Sequence, residues 1–184
     1  MGKVIVSISM SLDGIIAGDN DSPARGLGDG GEILHHWMQD ADEHAMFDET
    51  GAIVVGRRMF DVSNAWDGAP PGGLPCFVVT HHAPAEWNGA GSPFTFVGEG
   101  APTAVARARD VAGDKNVGIG GGADICRQAL DAGVVDEVEL QLVPVILGSG
   151  IRLFDGLTRT PVQLEPLRAR ASRYATHLRY RVVR

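Results

Sequence analysis

Three consecutive glycines, Gly120 to Gly122, separate a short apolar strand pattern from a helix pattern within residues 117–130. Where a strand leads directly into a helix, the absence of side chains lets a ligand approach the backbone, and the first-turn amides of the helix are left unpaired. Such a junction is suited to binding an anion such as a phosphate group. The other interpretation is a turn that needs glycine for backbone freedom alone.

Short strand patterns alternate with helix patterns along the first two-thirds of the chain. They predict strands at residues 3–10, 52–56, 76–80, 94–97 and 116–119, and helices at residues 37–50, 57–62, 103–112 and 124–132. Short, uniformly apolar strands between helices indicate parallel pairing and an α/β fold. Alternation at residues 137–143, followed by long strands at residues 162–172 and 174–183, predicts that the mostly parallel sheet ends in antiparallel strands. No repeat or long linker divides the chain, so we expect one domain over residues 1–184.

Charge and residue spacing exclude several classes of partner. The formal net charge of −7 argues against nucleic acid and membrane surfaces. No apolar run approaches the roughly twenty residues that span a bilayer, and the first residues lead directly into a strand, so we expect a cytoplasmic protein. The two cysteines and six histidines lack the spacing of a zinc site, so no metal is expected.

Arginines recur through residues 159–184 in alternation with apolar residues. Alternation with a period of two places such arginines on one face of a strand. They indicate either a solvated strand face or a site for a polyanion.

Two further loops follow predicted parallel strands, where open α/β sheets place their ligand crevice. These loops are Gly56-Arg57-Arg58 and Thr80-His81-His82. The two arginines begin a helix, so backbone amides and guanidinium groups could bind a phosphate together, although two surface arginines would give the same pattern. The hydroxyl and imidazoles of the second loop could contact the ribose or phosphate of a nucleotide.

Other common sites fit the sequence poorly. Gly118, Gly120 and Ala123 match the G-x-G-x-x-A fingerprint of dinucleotide-binding domains, but the strands that follow are mostly antiparallel and leave no room for a separate Rossmann domain. The chain has neither a GxSxG motif nor a Walker loop. What remains is a phosphate-bearing cofactor that lies across several glycine loops and carries the chemistry itself.

Five segments together resemble the dihydrofolate reductase superfamily, and within it the stand-alone relatives of the C-terminal reductase domain of the bifunctional riboflavin-biosynthesis deaminase/reductase. In chain order they are SMSLDGIIA at 9–17, IVVGRRMF at 53–60, VTHH at 79–82, IGGGADI at 119–125 and LVPVILGSGIRLF at 142–154. The resemblance covers nearly the whole chain. It implies a dihydrofolate reductase-like, three-layer α/β/α fold with a mostly parallel mixed sheet.

The same resemblance implies that NADPH is the cofactor. Its adenosine phosphates would lie near Gly56, Arg57, Arg58, Thr80, His81 and His82, its pyrophosphate along Gly120, Gly121, Gly122, Ala123, Asp124 and Ile125, and its nicotinamide beside Ala17. The double glycine of dihydrofolate reductases contains a cis peptide. A cis bond is therefore expected here between Gly120 and Gly121 or between Gly121 and Gly122.

Substrate residues are implied less directly. Dihydrofolate reductases hold the pterin with a carboxylate on the first helix, where Glu43 or Asp42 is nearest here, and riboflavin-pathway reductases usually have lysine where this chain has Ile15. Asp13 is then the candidate acid near the active site, although an Asp-Gly pair is also a common turn former. The substrate is expected to contact Ser11, Asp13, Leu142, Pro144 and Gly148.

The leading hypothesis is an NADPH-dependent reductase that transfers a hydride to a small heterocycle of the pterin or riboflavin-precursor pyrimidine type. The alternative is a protein on the same scaffold that binds a nucleotide or flavin without turnover, because a fold does not settle a function. The long C-terminal strands and the apolar residues 143–154 could also support a homodimer, as in related reductase domains.

Overall fold

The structure is a computed structural model that describes residues 2–39 and 48–184. Its strands are β1 (Val4–Ser11), β2 (Ile15–Ala17), β3 (Thr50–Gly56), β4 (Cys76–Val79), β5 (Phe94–Val97), β6 (Asn116–Gly121), β7 (Glu137–Val143), β8 (Ile151–Arg152), β9 (Leu164–Ala171) and β10 (Thr176–Val182). The α-helices are α1 (Arg57–Val62), α2 (Ala101–Ala112) and α3 (Ala123–Asp131), and 3₁₀ helices span Gly31–Gln39, Asn64–Gly68 and Pro71–Gly73.

One mixed sheet organises the described residues. Its eight strands lie in the order β5-β4-β3-β6-β1-β7-β10-β9. The six strands from β5 to β7 pair in parallel, whereas β10 pairs antiparallel with both β7 and β9. A separate two-stranded sheet joins β2 to β8. The α/β class, the mostly parallel sheet and its antiparallel end are therefore confirmed.

The main core lies between one face of the sheet and helices α2 and α3. Val4 and Val6 of β1 and Ile119 of β6 are fully buried there. They pack against helix faces made of small residues, among them Ala104 and Ala108 of α2. Alanine lets a helix approach the sheet closely while still burying apolar surface.

A second layer covers the opposite face near β3, β4 and β5. Phe60 of α1 packs edge-to-face against Phe94, with ring centroids 5.0 Å apart. Farther along the sheet, Leu34 and Trp37 of the first 3₁₀ helix pack against Val143 at the end of β7. Elements on both faces give the three-layer arrangement that the resemblance implied.

The predicted and observed boundaries of the elements agree best where the sequence pattern is strongly periodic or where it is short and apolar. The predicted bounds of α1, β5 and β7 are those of the structure. The helix predicted at residues 37–50 is wrong at both described ends, because a 3₁₀ helix already begins at Gly31 and β3 begins at Thr50. The middle of that prediction lies outside the described residues. The short strands β2 and β8 were not predicted, since their pairing joins segments far apart in sequence.

A buried carboxylate on β7 pairs with the residue that precedes β1 and with a residue of β10, the two neighbours of β7 in the sheet. Glu137 is 2% exposed and forms ion pairs with Lys3 and with Arg179 Nε, the latter at 2.5 Å. Burial alone would raise the pKa of Glu137, but the hydrogen bonds from Lys3 and Arg179 hold that pKa below its ordinary value.

Replacing Glu137 with glutamine should lower the free energy of unfolding by about 3 kcal/mol, because it leaves the largely buried Arg179 without its counter-charge. Urea denaturation at pH 7 measures this change. Glu165→Gln is the matched control, because Glu165 pairs with Arg181 on an exposed surface where such a pair contributes less than about 1 kcal/mol. Equal losses in the two variants would contradict the assigned role of Glu137.

Candidate functional site

A cavity of about 650 Å³ lies at the carboxyl ends of β3, β4 and β6. We call it the glycine-loop cavity. Its lining includes Ala17, Gly56, Arg57, Arg58, Thr80, His81, His82, Gly120, Gly122, Ala123, Asp124 and Ile125, which are all of the expected cofactor contacts except Gly121. Residues from four separate segments of the chain thus meet in one place, and the volume lies in the range typical of small-molecule sites.

The junction between β6 and α3 exposes backbone to this cavity. Gly122 is the N-cap of α3, and among the described residues no side chain caps that first turn. The φ of Gly122 is −71°, which any residue adopts, and a Cβ there would meet no atom within 4 Å. Neither the packing around Gly122 nor its φ therefore requires glycine, and the bare backbone is open to a ligand. The peptide bond between Gly121 and Gly122 is cis, as the resemblance implied.

Two other glycines of this region are required by the fold. Gly121 has a φ of +115°, which side-chain-bearing residues rarely adopt. A Cβ at Gly56 would lie 2.7 Å from Cγ1 of Ile125, so the end of β3 can approach α3 closely because Gly56 has no side chain. Both interpretations of the glycine run therefore apply, but to different residues.

The two arginines of α1 are held by neighbours at the cavity mouth. Arg57 donates to Asp61 Oδ1 at 2.8 Å and to the carbonyl of His82 at 2.6 Å, which connects α1 to the loop after β4. Arg58 forms a two-pronged ion pair with Asp21, whose side chain is only 5% exposed. Asp21 lines the same cavity, and the sequence contained no signal for it, because the contact joins residues 37 positions apart.

A second cavity, of about 660 Å³, lies against the polar face of the sheet. We call it the sheet-face cavity. Its polar lining includes Ser7, Ser9, Glu139, Gln141, Arg168, Arg170, His177 and Arg179. The two cavities adjoin, since both are lined by Ile8, Ser9, His35, Met59, Ser63 and Gly120. A molecule in one cavity would therefore contact a molecule in the other at this junction.

Hydrogen bonds organise the floor of the sheet-face cavity. Trp37 Nε1 donates to Ser9 Oγ at 2.8 Å, and its ring packs edge-to-face against His177 with centroids 5.5 Å apart. Gln141 Nε2 donates to Ser7 Oγ at 3.3 Å. Buried His177 lies 3.1 Å from Ser172 Oγ through its Nε2. These contacts place a row of polar groups on one face of the sheet. The alternation in β7 predicted such a face but not the cavity that lies against it.

The C-terminal arginines divide between a solvated surface and this cavity. Arg181 and Arg184 form exposed ion pairs with Glu165 and Asp136. Arg168, Arg170 and Arg179 instead line the sheet-face cavity. A single solvated strand face therefore describes only part of this segment.

The expected substrate contacts lie elsewhere. Ser11, Asp13, Leu142, Pro144 and Gly148 are absent from the described lining of both cavities. Glu43 and Asp42 lie outside the described residues.

Asp13 joins two loops through its carboxylate. It accepts hydrogen bonds from Ser11 Oγ at 2.7 Å, from the amide of Gly148 at 2.8 Å and from the amide of Leu147 at 3.1 Å. These hydrogen bonds, of which the one from Ser11 has the largest effect, lower the pKa of Asp13 to about 2. Such a carboxylate is a poor proton donor at neutral pH, so the geometry favours the turn-forming interpretation of Asp13.

Nucleophilic and metal chemistry find little support among the described residues. Burial raises the pKa of the Cys76 and Cys126 thiols to about 12, which disfavours a reactive thiolate. Within residues 2–39 and 48–184, no group of three or more His, Cys, Asp or Glu side chains could hold a metal ion. In the same part of the chain, none of the helices has the length and apolarity needed to cross a bilayer.

Comparison with known proteins identifies the family of this chain. The family described as the RibD C-terminal domain matches residues 2–178. The chain belongs to this family. Across 169 residues, covering 85% of this RibD C-terminal-type domain and 84% of the relative, it is 30% identical to the uncharacterised protein YwjB of Bacillus subtilis (strain 168).

Two solved structures show how widely the fold is shared. A protein attributed to riboflavin biosynthesis in Shewanella sp. PV-4 is 22% identical to this RibD C-terminal-type domain, with a TM-score of 0.78 and 99% of each chain covered. Dihydrofolate reductase of Enterococcus faecalis, solved with NADP(H), is 17% identical with a TM-score of 0.65, and 98% of this chain and 96% of that chain are covered. The dihydrofolate reductase-like fold is thus confirmed.

The role of Asp13 can be tested through the pH dependence of stability. Because the pKa of Asp13 is about 2 in the folded protein and 3.8 in its ordinary state, its ionised form stabilises the fold above about pH 4, and this contribution is lost as the pH falls through 2. Asp13→Asn should therefore lower Tm at pH 7, and the difference from the wild type should shrink as the pH approaches 2. An unchanged Tm at pH 7 would show that the Asp13 hydrogen bonds do not hold the two loops together.

Proposed function

We propose that this protein is an NADPH-dependent reductase that transfers a hydride to a C=N or C=O bond of a small pterin- or pyrimidine-type heterocycle. The observation that carries the proposal is the pair of adjoining cavities, which share six described lining residues. Hydride transfer needs donor and acceptor rings in direct contact, with water excluded between them. A cofactor in the glycine-loop cavity and a substrate in the sheet-face cavity would meet in this way.

The glycine-loop cavity suits a dinucleotide with phosphate groups. Unpaired amides in the first turn of α3 and the bare backbone at Gly122 would hold the pyrophosphate. Arg57 and Arg58 at the mouth would face the phosphate of the adenosine end. Ala17 and Ile16, both largely buried in the lining of the glycine-loop cavity, would contact the nicotinamide. When bound, NADPH supplies the hydride, and the protein's part is orientation and exclusion of water.

The sheet-face cavity suits a planar polar ring. Trp37 contributes an aromatic ring to the lining and Glu139 contributes a carboxylate, whereas Gln141 and His177 already contact Ser7 and Ser172. Hydrogen-bonding groups on a buried floor select strongly among heterocycles, because a wrong ring leaves them unpaired.

Two finer expectations stay predictions. Cytoplasmic location rests on the sequence alone. A homodimer finds some support in the edge strand β9, on which Leu164 and Leu167 are each 39% exposed.

Cofactor binding is tested by titrating NADPH against the wild type, with thermal stability and nicotinamide fluorescence as readouts. A ligand at 100 times its Kd should add about 2.7 kcal/mol to the free energy of unfolding.

Gly122→Val should weaken the binding of NADPH at least about tenfold, because its side chain would enter the space left for the ligand. Gly89→Val is the matched control, since Gly89 also has open space around its Cβ but does not line the glycine-loop cavity. A folded Gly122→Val variant with wild-type affinity would contradict the placement of the cofactor. NADPH that binds yet is never oxidised with any pterin or pyrimidine would favour the non-catalytic alternative.

Preference for NADPH over NADH should depend on Arg58. Arg58→Ala should weaken NADPH by roughly tenfold or more and leave NADH nearly unchanged, because a charge-assisted hydrogen bond to the 2′-phosphate would be lost. Isothermal titration calorimetry with both cofactors measures the two effects. Arg25→Ala serves as a control, since Arg25 forms an exposed ion pair with Asp29 in the neighbouring loop. Equal weakening of both cofactors by Arg58→Ala would show that this residue does not read the 2′-phosphate.

A further inference from the structure

Glu139 is a carboxylate in the sheet-face cavity for which the described residues provide no hydrogen bond or ion pair. It lies on β7, opposite Ser7 of β1 and Arg179 of β10. Arg179 cannot neutralise it fully, because the Nε of Arg179 already donates to Glu137 at 2.5 Å. Glu137 and Glu139 thus lie on the same face of β7 in different surroundings. Glu137 is buried and paired, whereas Glu139 faces the cavity.

The surroundings of Glu139 disfavour its charge. Burial raises the pKa of Glu139, and the negative charges of Glu137 and Glu49 act in the same direction. Arg179 of β10 and Arg168 of β9 oppose this effect without cancelling it. The other titratable groups that line the cavity are His35, Arg170 and His177.

An unpaired, partly buried carboxylate costs stability, so a role outside folding is a reasonable explanation for it. Gln141, the next residue on the same face of β7, is hydrogen-bonded to Ser7 and 2% exposed, which shows that this face can satisfy its polar groups internally. Glu139 is the exception on this strand. Its oxygen atoms remain available to a molecule in the cavity.

Strand register relates Glu139 to the junction of the two cavities. Ser9, which lines both cavities, pairs with Gln141, and Ser7 pairs with Glu139. Two residues along a strand span about 7 Å. A flat two-ring heterocycle with its reacting ring at the junction would therefore bring its far edge to Glu139.

We infer that Glu139 is the substrate-recognition carboxylate of this site and that it accepts hydrogen bonds from a paired N–H edge, as a 2-amino heterocycle presents. This inference rests on the proposed function and deepens it, because it favours a 2-amino ring over the corresponding 2-oxo ring. A carboxylate bound to two parallel N–H groups forms charge-assisted bonds, whereas a 2-oxo edge would place oxygen against oxygen.

Two fluorescent probes test the inference: 2,4-diaminopteridine, whose 2-amino group and N1 present two parallel N–H groups when N1 is protonated, and pteridine-2,4-dione, which carries oxygen in place of both amino groups. Their dissociation constants are measured for the wild type, Glu139→Gln and Glu165→Gln, with and without saturating NADPH. The wild type and Glu165→Gln should prefer the diamino probe. Glu139→Gln should weaken that probe by roughly 10- to 100-fold and narrow the preference, because an amide cannot accept both N–H bonds.

Three outcomes would overturn the inference. They are equal affinity of the wild type for the two probes, no binding of either probe, and a diamino affinity that Glu139→Gln leaves unchanged. The binding of NADPH is measured separately and tests the proposed function. Glu139→Gln should bind NADPH as the wild type does, because Glu139 does not line the glycine-loop cavity. Wild-type protein that binds the diamino probe but not NADPH would refute the reductase and leave the Glu139 contact standing.

Discussion

The close approach of β3, β6 and α3 is the constraint on which the candidate site depends. Gly56 has no side chain, so Ile125 of α3 can pack where a Cβ would lie 2.7 Å from it. This contact fixes the start of α3 at the carboxyl edge of the sheet, beside the left-handed backbone of Gly121. The amides of that first turn then face an open cavity, where their dipoles would attract an anion.

The two faces of β1 and β7 divide the protein between stability and recognition. Val4, Val6 and Val138 point into the main core and bury apolar surface against the helices. The alternate residues Ser7, Glu139 and Gln141 line the sheet-face cavity on the opposite side. Because a strand has a period of two, one segment supplies both faces, and a register slip of one residue would exchange them.

Among the described residues, some of the charged side chains around the site are paired with a neighbour, and Glu139 is not. Glu137 of β7 and Arg179 of β10 neutralise each other within the sheet, and Arg58 and Asp21 do so at the mouth of the glycine-loop cavity. Glu139 has no such pairing within residues 2–39 and 48–184. A paired charge binds a ligand only when it exchanges its partner, as Arg58 would exchange Asp21 for a phosphate, whereas the unpaired Glu139 can accept a hydrogen bond directly.

The sequence by itself determined the α/β class, the antiparallel end of the sheet, and the loops that line the glycine-loop cavity, because these depend on local periodicity and on glycine placement at strand ends. The resemblance to dihydrofolate reductases, and no local signal, favoured Asp13 as the acid near the active site. Only the tertiary structure showed that its carboxylate is occupied by the amides of Leu147 and Gly148. Asp21 likewise had no motif to mark it, and the sequence pattern did not show that Glu139 and three of the C-terminal arginines share one cavity. Their roles arise from strand register and loop packing between segments distant in the chain, which no local pattern of residues records.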